Sequence, residues 1–326
     1  MIVTLTPNPS LDRTVTLPGP LLRGAVNRLD SVTVEPGGKG VNVARVLAAS
    51  GQQVTALVPA APGDPLLKAI ESLGLAGLTC RAVPVDGAAR VNTAVTEPDG
   101  TTTKLNESGA GLSEAEIAAI EGALSEELRL ASEGRSWAVL SGSLPPGAPV
   151  DWYVRLVGLL RPLGVRIAVD TSDAPLAALA AGLPDCAPDL VKPNGEELAQ
   201  LAGRGATDLE DAAVAGDFGP VAEAAQVLVG LGIGTVLATL GPAGGVLVTG
   251  EGAWHATAPS VPVVSTVGAG DSSIAGYILA DVHGGGQAEC LRTAMAYGSA
   301  AANLPGTTLP TPRDLPAQAA AITPLA

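Results

Sequence analysis

The chain has 326 residues, enough to bury one large α/β core and to carry a small second element. Apolar residues make up 47%, mostly Ala, Leu and Val, with three Trp, three Tyr and one Phe; this favours helices on a buried sheet and supplies few aromatic platforms for stacked bases. A net charge of −14 opposes nonspecific nucleic-acid binding, while a charged fraction of 15% excludes a polyanionic tail. Cys80, Cys186 and Cys290 are odd in number and widely spaced, with neither a disulfide framework nor metal-ligand spacing. No apolar run is long enough to span a bilayer, and residues 1–5 read as a strand rather than a leader. No nucleic-acid or membrane partner is expected, and the expected location is the cytoplasm.

Residues 2–5 open the chain as a short apolar strand. The stretch Thr6-Pro7-Asn8-Pro9-Ser10-Leu11-Asp12 then puts Asp12 on a loop at the strand's C-terminal end, where open α/β sheets bind ligands. A capping or turn role for Asp12 stands beside that reading. Residues 13–35 read as alternating strands with turn signals. Pro36-Gly37-Gly38-Lys39-Gly40-Val41-Asn42 opens a segment with Ala44, Leu47 and Ala48 at helical spacing. It is not a Walker A loop, which needs Gly-Lys followed by Ser or Thr. Glycines around one lysine at a helix start make either an anion site with Lys39 as a point charge or a turn with a solvated lysine.

Residues 54–58, 138–141, 166–170, 190–192 and 235–240 are apolar or β-branched runs suited to buried parallel strands. Residues 114–130, 152–160 and 222–232 read as helices between them. This βαβ rhythm predicts a doubly wound, mostly parallel sheet with helices on both faces. Residues 88–106 break it with alternating strands around Pro98-Asp99-Gly100. The Ala-rich residues 317–321 have ordinary helix composition.

The most informative stretch is Ser265-Thr266-Val267-Gly268-Ala269-Gly270-Asp271-Ser272-Ser273, a glycine-rich loop leading into an apolar helix. Backbone N–H groups at a helix start lack partners and hold phosphate oxygens well. Gly268 and Gly270 let the chain turn sharply and let a ligand approach closely. Asp271 would then sit at the mouth of an anion hole, placed to take a proton from a nucleophile that attacks phosphorus; the plain alternative is a helix cap after a tight turn. Two helix-start anion sites far apart in sequence suit an enzyme with a phosphate on each of two substrates.

Seven elements, taken together, resemble the ribokinase-like PfkB family of carbohydrate kinases. They are residues 6–12, Gly37-Gly38-Lys39-Gly40-Val41-Asn42-Val43-Ala44, Arg90-Val91-Asn92, Ser141-Gly142-Ser143-Leu144-Pro145, Lys192-Pro193-Asn194-Gly195-Glu196-Glu197, Leu240-Gly241-Pro242-Ala243-Gly244 and the Gly268–Asp271 loop. They follow the family's order from Thr6 to Asp271. Within the family the chain looks most like the sugar-phosphate branch, closest to the 1-phosphofructokinases and similar to tagatose-6-phosphate and minor 6-phosphofructokinases. The resemblance implies an α/β core made of residues 1–11, 36–87 and 107–326. Residues 12–35 and 88–106 would form a small β-sheet lid over the sugar, used for contact in a homodimer.

It also implies ATP as phosphoryl donor and Mg2+ as the accompanying ion. Asp271 is then the base for the sugar hydroxyl, and Gly268, Ala269 and Gly270 supply amides for charge growing on the transferring group. By the same resemblance Asp12 and Asn42 bond sugar hydroxyls and Gly38 lies against the sugar, with Gly37 and Asn92 beside them. Lys39 and Arg90 are candidates for the sugar's own phosphate, Arg90 through a bidentate fork; a solvated Arg90 is the alternative. Ser143 is a further substrate contact, although tight turns use Ser and Gly for their own reasons. Asn194 and Glu197 fit an Asn-x-x-Glu element tied to magnesium through waters, or a helix capping box. Lys192, Thr239, Gly241, Pro242, Ala243, Gly244, Ser265 and Asn303 fall on nucleotide-binding positions, where Thr239 keeps the hydroxyl of the family's usual Ser.

His255 and His283 lack partners at ligand spacing. A dinucleotide fingerprint fails at Ser273, where Gly or Ala is needed, and no acidic ribose ligand is suitably placed. The expected activity is phosphorylation of a hexose phosphate to a bisphosphate, with fructose 1-phosphate as first choice. Tagatose-6-phosphate and 6-phosphofructokinase activities are the alternatives, and a noncatalytic sugar-phosphate sensor is the alternative of another class.

Overall fold

Two sheets organise the computed structural model, which describes residues 1–129, 136–203 and 206–325. Its strands are β1 (Ile2–Leu5), β2 (Ser10–Thr16), β3 (Ser31–Gly37), β4 (Val54–Ala60), β5 (Leu78–Pro84), β6 (Arg90–Thr96) and β7 (Thr102–Asn106). They continue as β8 (Trp137–Ser141), β9 (Arg166–Asp170), β10 (Leu190–Val191), β11 (Thr235–Thr239), β12 (Gly245–Thr249), β13 (Gly252–Ala256) and β14 (Ile322–Leu325). The large sheet runs β14-β13-β12-β11-β10-β9-β8-β1-β4-β5. Pairing is parallel from β11 to β5, and antiparallel from β11 to β14.

Alternate residues of the central strands feed two cores, as a period of two requires. Val3, Leu5, Ala138 and Leu140 pack with helices Glu114–Arg129, Trp152–Leu160 and Gly219–Gly230. Ile2, Trp137 and Val139 pack on the other face with helices Lys39–Ala49, Ala269–Val282 and Gln287–Ala302. The strands are therefore buried on both faces, and their apolar runs were readable for that reason. No helix among the described residues is long and apolar enough to cross a membrane.

The expected strands and helices lie within a few residues of their predicted bounds. The helix expected at 114–130 spans Glu114–Arg129, and Leu130 lies outside the described residues. The helix expected at 222–232 starts earlier, at Gly219, because Pro220 fits the first turn, where no amide is needed. Residues 317–321 are not helical. Ala320 is buried in the second core, and Ala321 exchanges hydrogen bonds with Thr257, its amide donating to Oγ1 at 3.0 Å and its carbonyl accepting at 3.1 Å. That pairing leads the chain into β14, and it outweighs the alanines' helix preference.

The second sheet runs β3-β2-β6-β7, with β2 and β6 parallel. It begins at Ser10 and ends its first excursion at Gly37, and residues 17–30 are irregular rather than stranded. Val15, Leu17 and Val95 form a small core, while Val32, Val34 and Leu105 are exposed.

Trp152 has no exposed surface, and its Nε1 donates to Glu121 Oε1 at 2.9 Å. Trp152→Ala is expected to cost about 3–5 kcal/mol, read as a lowered thermal unfolding midpoint. A midpoint within a degree of wild type would contradict this packing.

Candidate active site

The parallel strands all end on one edge, and the chain's chemistry-bearing residues gather there. Helix Lys39–Ala49 starts at that edge directly after β3, and helix Ala269–Val282 starts beside it. Gly38 caps the first at φ 104°, where a Cβ would stand 2.6 Å from Thr6 Cγ2. Gly268 caps the second at φ 77°. Both backbones need glycine, so both sharp turns were legible as glycine clusters.

Asp271 lies in the first turn of its helix and is 7% exposed. Its Oδ2 accepts a 2.8 Å hydrogen bond from Asn42 Nδ2, which leaves Oδ1 for a ligand. Burial pushes its carboxyl up, and nearby Asp170 adds to the effect; Lys39, the Asn42 bond and Lys192 pull the other way. The outcome is a pKa of about 6, so the group is mostly ionised at neutral pH yet basic enough to accept a proton.

Asp170, the last residue of β9, was not anticipated. Its Oδ1 stands 3.3 Å from Lys39 Nζ and 3.6 Å from Lys192 Nζ. Burial works against the Lys39 ammonium, but Asp170, Asp271 and Glu197 outweigh it and hold its pKa above the ordinary lysine value. The available signal was a charged residue closing a buried strand at its C-terminal end.

The small sheet builds one side of the neighbouring cavity. The β2–β6 register sets Asp12 opposite Asn92 and Ser10 opposite Arg90. Asp12 Oδ1 accepts from Ser10 Oγ at 2.8 Å and from Asn92 Nδ2 at 3.1 Å. A Cβ on Gly37 would fall 2.2 Å from Asp12 Oδ2, so any side chain there displaces this carboxylate. Arg90 Nε and Asn92 Oδ1 are buried without a hydrogen-bond partner. Asp12, Gly38, Lys39, Asn42, Arg90, Asn92, Asp170, Lys192, Gly268, Gly270 and Asp271 share one cavity of about 390 Å³, joined by the unanticipated Lys104 from β7.

A second cavity of about 480 Å³ adjoins Lys192, Asn194, Thr239, Gly241, Pro242 and Gly270, with Glu210 at its wall. A third, of about 470 Å³, shares Thr239, Gly241, Pro242 and Gly270, and adds Gly244, Ala269 and an apolar wall of Val261, Val263, Met295 and Ala302. Gly270 lines all three, so its helix start is their meeting point.

Some predicted residues lie elsewhere. Ser143 is exposed beyond β8 and lines none of the three cavities. Ala243 packs against the core, and its carbonyl meets His255 Nε2 at 2.9 Å. Ser265 holds the turn, its Oγ accepting from the Val267 amide and donating to the Gly306 carbonyl. Asn303 caps the C-terminus of helix Gln287–Ala302 and is exposed; Ser299 and Ala302 line the cavity instead. His255 stacks on Phe218 at 3.6 Å, and His283 contacts Gln52.

Asn194 and Glu197 form a capping box. Asn194 Oδ1 accepts from the Glu197 amide at 2.7 Å, and Glu197 Oε2 accepts from the Asn194 amide at 2.9 Å. Both still line the cavity of about 390 Å³ that holds Asp271. Among the described residues no group of three or more His, Cys, Asp or Glu could grip a metal directly.

A model of the pfkB family carbohydrate kinases matches residues 8–314. The 1-phosphofructokinase of Rhodobacter capsulatus is 39% identical over 326 residues, covering 99% of this chain and 96% of its own. That of Haloferax volcanii is 36% identical over 316 residues, covering 97% and 95%. Among solved structures, phosphofructokinase-2 from Escherichia coli in complex with substrates and products superposes with a TM-score of 0.84, at 32% identity over 96% of each chain.

The raised carboxyl has a consequence for stability. Because the folded pKa of Asp271 lies above the ordinary 3.8, its contribution is full below about pH 4 and is lost as pH rises through 6. Holding the charge at neutral pH costs the fold about 3 kcal/mol. Asp271→Asn is expected to raise the thermal midpoint by several degrees at pH 8, with the gain closing towards pH 4. Equal midpoints at pH 8 would contradict a buried charge held at a cost.

Proposed function

The chain belongs to the pfkB family of carbohydrate kinases, and from that premise we propose that it transfers the γ-phosphoryl group of ATP to fructose 1-phosphate, releasing fructose 1,6-bisphosphate and ADP. The observation that carries the reading is a cavity with Asp271 at one wall and Lys39 and Arg90 in the same lining. A free sugar needs no such pair of cations. The unpartnered Arg90 Nε suits a phosphate oxygen. The relatives named 1-phosphofructokinase support a phosphate on C1.

On this reading Asp12 and Asn92 orient the sugar, and Asp271 Oδ1 takes the proton of the attacking hydroxyl while Asn42 holds Oδ2. The first-turn amides of Gly270 and Asp271, which have no acceptor inside the helix, receive the charge growing on the transferring group. Lys192 meets the donor phosphates from the far side. The donor's nucleoside lies in the cavity of Thr239, Gly241, Pro242 and Gly244.

The donor set fits a magnesium ion that keeps its waters. The capping box takes one lone pair each of Asn194 Oδ1 and Glu197 Oε2, which leaves both residues, and Glu197 Oε1 above all, able to hold the ion through its retained waters. When bound, it neutralises charge on the donor phosphates.

The small sheet is read as a lid over the acceptor, made of residues 12–35 and 88–106 on a core of the remaining chain. Exposed Val32, Val34 and Leu105 suit contact with a second copy in a homodimer. A cytoplasmic location follows from the reading, since ATP and phosphosugars are found there.

The test is ADP release from Mg-ATP with fructose 1-phosphate, fructose 6-phosphate, tagatose 6-phosphate or free fructose. Fructose 1-phosphate is expected to give the highest kcat/KM. Arg90→Met and Lys39→Met are each expected to raise its KM about 10- to 100-fold, the value of a lost charged hydrogen bond. A preference for a 6-phosphate would move the acceptor phosphate to C6. Activity on free fructose alone would remove the Lys39–Arg90 site, and binding without turnover would leave a sensor.

A further inference from the structure

We propose that Asp170 is a positioning residue that pins Lys39 and Lys192 together, so that one buried carboxylate aligns a cation of the acceptor cavity with a cation of the donor cavity. The inference rests on the kinase reading above for the roles of the two cavities; the pin itself is a property of the free protein.

Asp170 follows Ile167, Ala168 and Val169 on β9, all buried, and its side chain is 1% exposed. An isolated charge at such a place is strongly destabilising, so it needs a partner. Two are present on a single oxygen, Lys39 at 3.3 Å and Lys192 at 3.6 Å, while Oδ2 has no hydrogen-bond partner. Tyr153, also buried nearby, donates its hydroxyl to the Gly142 carbonyl instead. The other charges facing the group are Asp271, and Glu197 towards Lys39.

The two lysines serve different ligands. Lys39 lines the acceptor cavity, whereas Lys192 also lines the donor-phosphate cavity, where its Nζ is 3.1 Å from a Cβ placed on Gly270. Each ammonium has three donors; Lys39 gives one to Asp170 and Lys192 is held by charge alone, which leaves the others for phosphate oxygens. A lysine stem has four rotatable carbons, and an unpinned ammonium would follow whichever phosphate it binds. Pinned from below, both cations keep their places while the phosphoryl group passes between substrates. Loss of the pin therefore falls on kcat, because free lysines still bind the ground-state phosphates.

The experiment compares wild type, Asp170→Asn, Lys39→Met and the double variant. It reads kcat, the KM for fructose 1-phosphate and for ATP, and the thermal midpoint. In parallel, acetic anhydride labels the ligand-free proteins, and the Lys39 rate is normalised to the exposed Lys68. Asp170→Asn is expected to lower kcat about 10- to 100-fold with each KM within about threefold. Its effect should shrink without vanishing in the Lys39→Met background, where only Lys192 is left for Asp170 to hold, and Lys39 labelling should rise several-fold. Asp170→Ser, which leaves room for water, carries the same expectation if Asn lowers the folded fraction. A rise in either KM at unchanged kcat, an equal kcat loss in the Lys39→Met background, or unaltered Lys39 labelling would each overturn the pin. A wild type that turns over none of the phosphosugars, with labelling changed as expected, would instead defeat the kinase reading and leave the pin standing.

Discussion

Four charges share one spot at the C-terminal edge of the parallel strands: the carboxylates of Asp170 and Asp271, and the ammonium groups of Lys39 and Lys192. Asp170, Asp271 and Lys192 are buried, where an unpaired charge costs several kcal/mol, while Lys39 keeps part of its side chain in solvent. Together they nearly balance. They come from a helix start after β3, the end of β9, the residue after β10 and the first turn of helix Ala269–Val282. The parallel sheet brings these distant chain positions to one edge, and the two cores on its faces hold it fixed.

The balance is local, and the molecule's field works against it. With a net charge of −14, the protein repels polyanions at long range. In the proposed function, attraction comes from Lys39, Arg90 and Lys192, and from helix amides that carry no net charge. The same arrangement tunes the carboxyl proposed as the base. A carboxyl surrounded only by cations would be too acidic to accept a proton, whereas burial and Asp170 hold Asp271 near neutrality. In the proposed mechanism Asp170 thus serves both the placing of the two lysines and the basicity of its neighbour.

Much of this was legible in the sequence where the information is local. Glycines at 38 and 268 mark backbone turns that only glycine takes easily, and the buried strands announce themselves as apolar runs. What was not legible depends on distance. Asp170 reads as an ordinary strand end until Lys39, 131 residues away, is brought beneath it. The antiparallel ribbon β12–β14 takes its last strand from the far C-terminus, and that pairing overrides the helical composition of residues 317–321. Motif membership does not fix where a side chain stands. Ala243, Ser265 and Asn303 sit next to cavity residues in sequence, and a 3-10 turn, a hydrogen-bonded loop and a helix end hold them beside the cavities rather than in their lining. Asn194 and Glu197 show both readings in one place, since the capping box is formed and its residues still face the cavity.

The central claim is that Asp271 is the base of a phosphoryl transfer and that its proton affinity is set by the buried charges around it. The most direct measurement is the chemical step itself, followed by rapid-quench single turnover of fructose 1-phosphate with Mg-ATP from pH 5 to pH 9. The account predicts a wild-type rate that falls tenfold per pH unit below about pH 6, and an Asp271→Asn rate that is lower by several orders of magnitude without that limb. An Asp271→Asn enzyme that kept the wild-type rate, or kept the same acid limb, would contradict it.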